Sequence, residues 1–235
     1  MENIKQSKIS TPVAIIVAGI LIMVGILLTG GNKEEKVVKE KTLSEQVGVS
    51  KEELSKCIAA TDTSSLSQKI QTSVEKAMKA VPNDQRGTPY AVVVGSNGVM
   101  AEIKGADSYE NVKKIVDSVV AGTVAQKYTG EVVVTEEGDH LYGNPNASVK
   151  IIEYSDFECP YCKIFHATLA KTVTESGGEV SWVYRHWPIH QNSFSKLVAA
   201  ECVSQIKGND AFWEYSDLLF GLLKTEETPA VSEQL

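Results

Sequence analysis

Two cysteines separated by two residues are the groups in this chain best placed to do chemistry. Cys159-Pro160-Tyr161-Cys162 follows an apolar, β-favouring run over 149–155 that breaks at Asp156-Phe157-Glu158. It precedes a helical pattern from Lys163 to Thr174. A strand that delivers a C-x-x-C pair to the start of a helix is the layout of a dithiol–disulfide site. Free N–H groups and the helix dipole favour an anion at that end. A thiolate at Cys159 is therefore stabilised and its pKa lowered. Cys162, one turn further in, is placed to close a disulfide back onto it. Pro160 falls at an early helix position, where its missing N–H costs little. The same spacing also marks half of a zinc site. Zinc wants a second pair of ligands at similar spacing, whereas the other two cysteines, Cys57 and Cys202, are singly placed. His166, four residues after Cys162, reads as a histidine of the helix surface. The pair is thus read as redox, with no metal and no bound cofactor.

The elements that must position this pair belong to a globular chain. It has 235 residues, 43% hydrophobic and 23% charged, enough for one domain with appendages. A net charge of -7, with no basic patch, argues against a nucleic-acid partner. Lys5 and Lys8 precede an uncharged run from Ile9 to Asn32 whose apolar heart is Val13 to Leu28. That length spans a bilayer, and the preceding lysines place the N-terminus inside. The expectation is an inner tail over 1–8, an uncleaved signal anchor over 9–31 and a charged tether over 32–42. A cleaved signal peptide is the alternative. The protein is expected at the cell membrane, single-pass, with its folded part outside the cytoplasm, where an even number of cysteines suits an oxidising compartment.

Ser50 with Glu53 forms a capping box for a helix from Lys51 to Ala60. A second helix is expected from Ser64 or Ser65 to Ala80. Ala91 to Val94 and Val99 to Lys104 read as strands about a Ser96-Asn97-Gly98 turn, followed by a helix from Tyr109 to Val120. Gly130 to Thr135 reads as a short strand and Glu136 to Asn146 as a polar connection. A strand over 179–184 and helices over 193–206 and 210–223 follow the cysteines, and 224–235 reads as a frayed tail.

Residues 138–220 resemble the DsbA-like family of extracytoplasmic thiol-disulfide oxidoreductases. The resemblance rests on Gly143-Asn144-Pro145-Asn146-Ala147, on Glu153 to Cys162, on Tyr184-Arg185-His186-Trp187-Pro188 and on Phe212-Trp213-Glu214-Tyr215. In that family a helical insert interrupts a thioredoxin-like α/β fold. A Thr-Pro turn, two antiparallel strands and a last helix come after the insert. Here that second half stands in front: Val49 to Cys57 resembles the end of the insert, Gly87-Thr88-Pro89 the turn, and Tyr109 to Val120 the last helix. The resemblance implies a circular permutant cut within the insert. Residues 43–121 form the family's C-terminal half, 122–148 a connection with a short strand, and 149–223 the N-terminal half. Pairing of the two halves between chains, as a swapped dimer, is the rival.

The resemblance also implies roles. Cys159 is the nucleophile and Cys162 the resolving thiol, with Pro160 and Tyr161 tuning the potential. Pro89 is a cis-proline that holds the Thr88 backbone beside the cysteines. Glu153, six residues before Cys159, is either a strand-end acid or a buried one assisting proton transfer at Cys162. Cys57 and Cys202 are either free buried thiols or a structural disulfide linking the permuted halves. His186, His190, Trp182 and Trp187 are packing or surface groups. The implied partners are cysteine-containing proteins and a membrane redox protein that reoxidises the pair. Disulfide formation is the expected direction. Reduction or isomerisation, and a redox-inactive interaction module, remain the alternatives.

Overall fold

The computed structural model describes residues 41–125 and 127–221. The expected anchor over 9–31 and the expected tail over 224–235 lie outside the described residues. No helix among the described residues is long and apolar enough to cross a membrane.

The fold is built on a five-stranded mixed sheet. Its strands are β1 (Tyr90–Gly95), β2 (Met100–Lys104), β3 (His140–Gly143), β4 (Val149–Ser155) and β5 (Val180–His186). Their order is β2-β1-β4-β5-β3. β4 and β5 run parallel; the other three pairings are antiparallel. The parallel pair needs a crossover, and α5 (Pro160–Glu175) supplies it. In chain order the β1–β2 hairpin and α4 (Tyr109–Ala121) precede the cysteine-bearing crossover. The two halves pair within one chain, β1 against β4 from Tyr90↔Tyr154 to Gly95↔Val149.

Both faces of the sheet are covered, which is why the central strands are apolar without alternation. Ala91, Val93, Ile151, Trp182 and Tyr184 point to one face, with α4, α5, α6 (Ser193–Lys207) and α7 (Asn209–Gly221). Val92, Val94, Ile152, Tyr154 and Val183 point to the other, against Val74, Ala77 and Met78. Those last residues belong to or follow α3 (Thr63–Ala77).

Local chemistry sets the element ends. A short α1 (Leu43–Gln46) leads into α2 (Lys51–Ala60). At α2 the Glu53 N–H donates to Ser50 Oγ at 3.2 Å, and the Ser50 N–H donates to Glu53 Oε2 at 2.9 Å, closing the box that the sequence predicts. α3 stops at Ala77 rather than Ala80. Met78 and Val81 turn into the core there, and Arg86 donates to both of their carbonyls at 2.8 and 2.9 Å. Gly98 has φ 76°, the left-handed conformation that the β1–β2 turn requires.

One strand lies elsewhere than expected. Residues 130–135 do not pair with the sheet; the edge strand is β3, inside the stretch expected to be a polar connection. The alternation of Val132 and Val134 marks packing against the second core cluster, not a ladder. The segment is tied to the end of α3 instead: the Glu131 N–H donates to the Lys76 carbonyl at 3.0 Å and the Tyr128 hydroxyl to the Ala77 carbonyl at 2.6 Å. At the end of β3, Gly143 has φ 93°, and a Cβ there would stand 2.6 Å from Val173 Cγ1. β3 is thereby allowed to lie close against α5.

Candidate active site

β4 ends at Ser155, and α5 begins at Pro160 with Cys159 as its N-cap residue. The loop between them is fixed by Asp156. Its buried carboxylate accepts from the N–H groups of Glu158 (2.7 Å), Ile189 (2.7 Å) and His190 (3.0 Å) and from the Ser193 hydroxyl, and it pairs with His190 Nδ1 at 2.9 Å. Burial alone would raise the pKa of this acid. Its bonds, led by that from Ser193, hold it below the ordinary carboxylate value. The loop that presents Cys159 is thus locked to the chain following β5. Phe157, between Asp156 and the cysteines, stacks on Tyr184 with ring centres 5.2 Å apart.

The two thiols, unlinked here, are pushed in opposite directions. Cys159 is held down to about 6, first by a hydrogen bond from Cys162 and further by Thr88 and the N–H groups of Cys162 and Tyr161. Cys162 is fully buried, and that burial raises its pKa far above the ordinary thiol value. One sulfur is therefore an anion at neutral pH and the other a proton donor to it. This is the arrangement in which exchange starts at Cys159.

The Thr88-Pro89 bond is cis, and it leads directly into β1. In its thiol form, Cys159 Sγ donates to the Thr88 carbonyl at 3.4 Å. The Thr88 hydroxyl is buried without a hydrogen-bond partner in this geometry, and it is among the groups that lower the Cys159 pKa. Residues from the two ends of the fold thus meet at one sulfur.

Glu153 lies in β4 opposite Ala91 and Tyr184, on the sheet face that α5 covers. It is wholly buried. Trp182 Nε1 donates to its Oε2 at 3.0 Å, whereas Oε1 has no partner. Burial pushes its pKa up to about 8, and its charge in turn raises Cys162. It is a buried acid, not a strand-end one, and it titrates near neutral pH beside Cys162.

Pro160 opens α5 at its first position. Tyr161 is 59% exposed, and Ile164 and Ile189 are exposed beside it in sequence and through the Asp156 loop respectively, so the rim of the site is partly apolar. Cys57 of α2 and Cys202 of α6 are joined by a disulfide with Cα atoms 5.8 Å apart. They do not approach the site's chemistry. His166 is buried, not on the helix surface: its Nε2 pairs with Asp217 of α7 at 2.6 Å because α7 packs over that side of α5. Trp182 is more than packing, since it is a donor to Glu153. Apart from the local Glu158 N–H, the partners of Trp182 and of the Asp156 clamp lie 29 and 33–37 residues away, where no local motif reveals them.

Comparison with known proteins gives findings that bear on the site-bearing half. Residues 135–233 match the family model described as Thioredoxin. A Na(+)/H(+) antiporter NhaA 1 of Mycolicibacterium gilvum (strain PYR-GCK) is 32% identical over 90 residues, 37% of this chain and 14% of the antiporter. The NhaA 1 of Salinispora arenicola (strain CNS-205) is 34% identical over 107 residues, 44% of this chain and 16% of that protein. The chain therefore spans only about one-seventh of the length of the curated relatives it matches. Among solved structures, Pseudomonas aeruginosa DsbA2 is 33% identical with a TM-score of 0.34, covering 37% of this chain and 50% of that one. BdbD from Bacillus subtilis (oxidised) is 24% identical with a TM-score of 0.34, covering 40% and 52%.

Proposed function

We propose that the protein catalyses dithiol–disulfide exchange on cysteine-containing proteins, in the direction of disulfide formation; the match of residues 135–233 to the thioredoxin family model supports this reading. The observation that carries the reading is the opposed pair at the head of α5. Cys159 has a pKa near 6 beside the Thr88 carbonyl, and Cys162 is buried and held protonated.

The cycle follows from that asymmetry. In the oxidised enzyme a substrate thiolate attacks Cys159 Sγ. The Cys159–Cys162 bond breaks and the Cys162 sulfur leaves with the electron pair. Glu153, with its pKa near 8, gives that sulfur a proton. The second substrate thiolate then attacks the substrate sulfur of the mixed disulfide and expels Cys159 as a thiolate. The substrate loses two electrons and gains a disulfide; the Cys159–Cys162 pair gains them. A stable Cys159 thiolate favours this direction, because it stabilises the reduced form. The cis-proline leaves no N–H at its own position, and Thr88 offers backbone for an extended substrate to pair with. Tyr161, Ile164 and Ile189 give that substrate apolar contact.

The fold is read as a circular permutant of the family, with residues 43–121 as its C-terminal half and 149–223 as its N-terminal half. The chain order of β1–β2–α4 before β4–α5–β5 supports this reading, as does the continuous sheet between them. Residues 9–31 are read as a signal anchor that holds the enzyme on the outer face of the cell membrane. There a membrane-held disulfide-bearing protein is the acceptor that reoxidises it. The length and apolarity of the run and the lysines before it support this placement.

The deciding measurement is the redox equilibrium of Cys159–Cys162 against glutathione buffers, followed by oxidation of a reduced two-cysteine peptide. A potential well above that of glutathione, with fast peptide oxidation, supports disulfide formation. A potential near thioredoxin's, about -270 mV, shifts the reading to a reductase. A pair that does not exchange leaves only an interaction module.

A further inference from the structure

We propose that His140, His186 and Glu201 form a binding site for one divalent transition-metal ion of the zinc class, separate from the cysteines. Nothing in their sequence spacing suggests it: they are 46 and 15 residues apart. The sheet brings them together. His140 opens β3 opposite Tyr184 of β5, and His186 lies two residues beyond Tyr184, so both imidazoles project from one face. Glu201 comes down on them from α6.

The three side chains converge on a point. His140 Nε2 is 2.7 Å from Glu201 Oε1 and His186 Nε2 is 2.9 Å from the same oxygen. One ligand atom from each residue lies within 4.8 Å of the other two. Tetrahedral zinc, with bonds of about 2.0–2.2 Å, separates its ligand atoms by about 3.3 Å. Small rotamer adjustments therefore replace two hydrogen-bonded protons by one ion. Two imidazole nitrogens and one carboxylate oxygen suit zinc and its neighbours rather than calcium or magnesium, which take oxygen donors.

The surroundings are those of a built site. Both histidines are buried. The His140 ring lies flat on Phe212, centroids 3.4 Å apart, and the His186 ring is held edge-on by Phe157 at 5.5 Å, so neither turns freely. A cavity of about 80 Å³ opens directly onto the trio and leaves room for a water ligand in the fourth position. Its wall is acidic: Glu136, Glu137, Asp139 and Glu201 face only Lys69 and Arg185. Arg185 is already engaged by Asp139 at 2.7 Å and Glu136 at 3.2 Å, so the excess negative charge falls to the space beside Glu201. A metal there would join β3, β5 and α6 in one clamp. Phe157, in edge contact with His186, lies two residues before Cys159.

The test must exclude the thiols, which also bind zinc. Untagged full-length protein is oxidised so that Cys159 and Cys162 are linked, then titrated with zinc against a competing chelator. One bound zinc is expected. Cobalt in its place should give visible d–d bands without a thiolate charge-transfer band. Glu201→Gln and His186→Gln, each checked for folding by circular dichroism, should weaken binding at least about tenfold. Zinc that binds only the reduced protein, or a cobalt spectrum showing thiolate ligation, overturns the proposal. So does an oxidised protein that takes up no zinc, or one whose affinity is unchanged by both substitutions. The cobalt spectrum of the unsubstituted protein decides even if a variant fails to fold.

Discussion

Cys159 and Cys162 sit three residues apart at the head of one helix, whereas Cys57 and Cys202, 145 residues apart in sequence, join two helices. The first pair is surrounded by groups that separate its two pKa values: Thr88 and N–H donors at Cys159, burial and Glu153 at Cys162. The second pair is already joined, with Cα atoms 5.8 Å apart. Its α2 and α6 helices meet across the boundary between the front and rear parts of the chain. The difference teaches that a cysteine's chemistry is set by what stands next to each sulfur, and its structural worth by how much chain the bond closes. One pair is arranged to exchange, the other to hold.

The sharpest way to break this division is to disable each pair separately. Cys159→Ser should abolish oxidation of a reduced peptide, since it removes the sulfur whose lowered pKa starts the exchange while Cys162 keeps its proton. Replacing both Cys57 and Cys202 by Ser should leave the exchange rate per folded molecule within about twofold. The same double variant should lose about 2–5 kcal/mol of stability, because a loop this long is freed in the unfolded chain. Urea unfolding under non-reducing conditions reads the second effect and a peptide-oxidation assay the first. A double variant that folds but does not exchange would show that the two pairs are not independent.

How far these roles were legible in the sequence depends on distance along the chain. Cys159, Pro160 and Cys162 declare themselves within four residues, as does the Ser50–Glu53 box, because their physics is local. Pro89 and Thr88 drew notice only through family resemblance; composition says nothing of a turn that meets a sulfur 71 residues away. Glu153 stood out as an acid in an apolar strand, but its full burial follows from Tyr184 and Ala91 on either side. Trp182 as its donor, the Asp156 clamp and the convergence of His140, His186 and Glu201 depend on pairings 15–61 residues apart. The strand expected over 130–135 failed for the same reason. Alternation of Val132 and Val134 reports half-burial, and only the fold decides whether the buried side meets a ladder or a helix.

A third effect separates function from stability at one residue. Glu153 has an ordinary pKa of 4.5 when exposed and about 8 when folded. The folded state therefore holds its proton more tightly, and stability falls as pH rises through that window, from 4.5 to 8. At pH 7 the linkage amounts to about 3 kcal/mol. Glu153→Gln should flatten this slope and raise stability near neutrality by up to that amount, offset by whatever its buried amide leaves unpaired. Exchange should slow, because Cys162 loses its proton donor. Unfolding at pH 5 and pH 8 gives the sign: a Gln variant that keeps the full pH slope would remove Glu153 as its cause.

The smallest effect probes the asymmetry itself. With its folded pKa near 6, Cys159 is mostly thiolate at pH 7, so its alkylation in the reduced protein should be half-maximal near pH 6 and level above pH 7. Cys162 should stay unreactive throughout, since burial holds its proton. Thr88→Val removes the unpartnered hydroxyl but keeps the carbonyl and the shape of the turn. The Cys159 midpoint should then rise by up to about one pH unit, because that hydroxyl is among the groups that lower it. The reduced fold should become less stable near neutrality: a lowered folded pKa adds stability at pH values above it, and that stability is lost as pH falls through about 6. Mass spectrometry of timed iodoacetamide labelling measures both sulfurs in one sample. If Thr88→Val leaves the midpoint in place, the thiolate is held by Cys162 and the N–H groups at the head of α5 alone, and the turn before β1 serves only to pair with substrate.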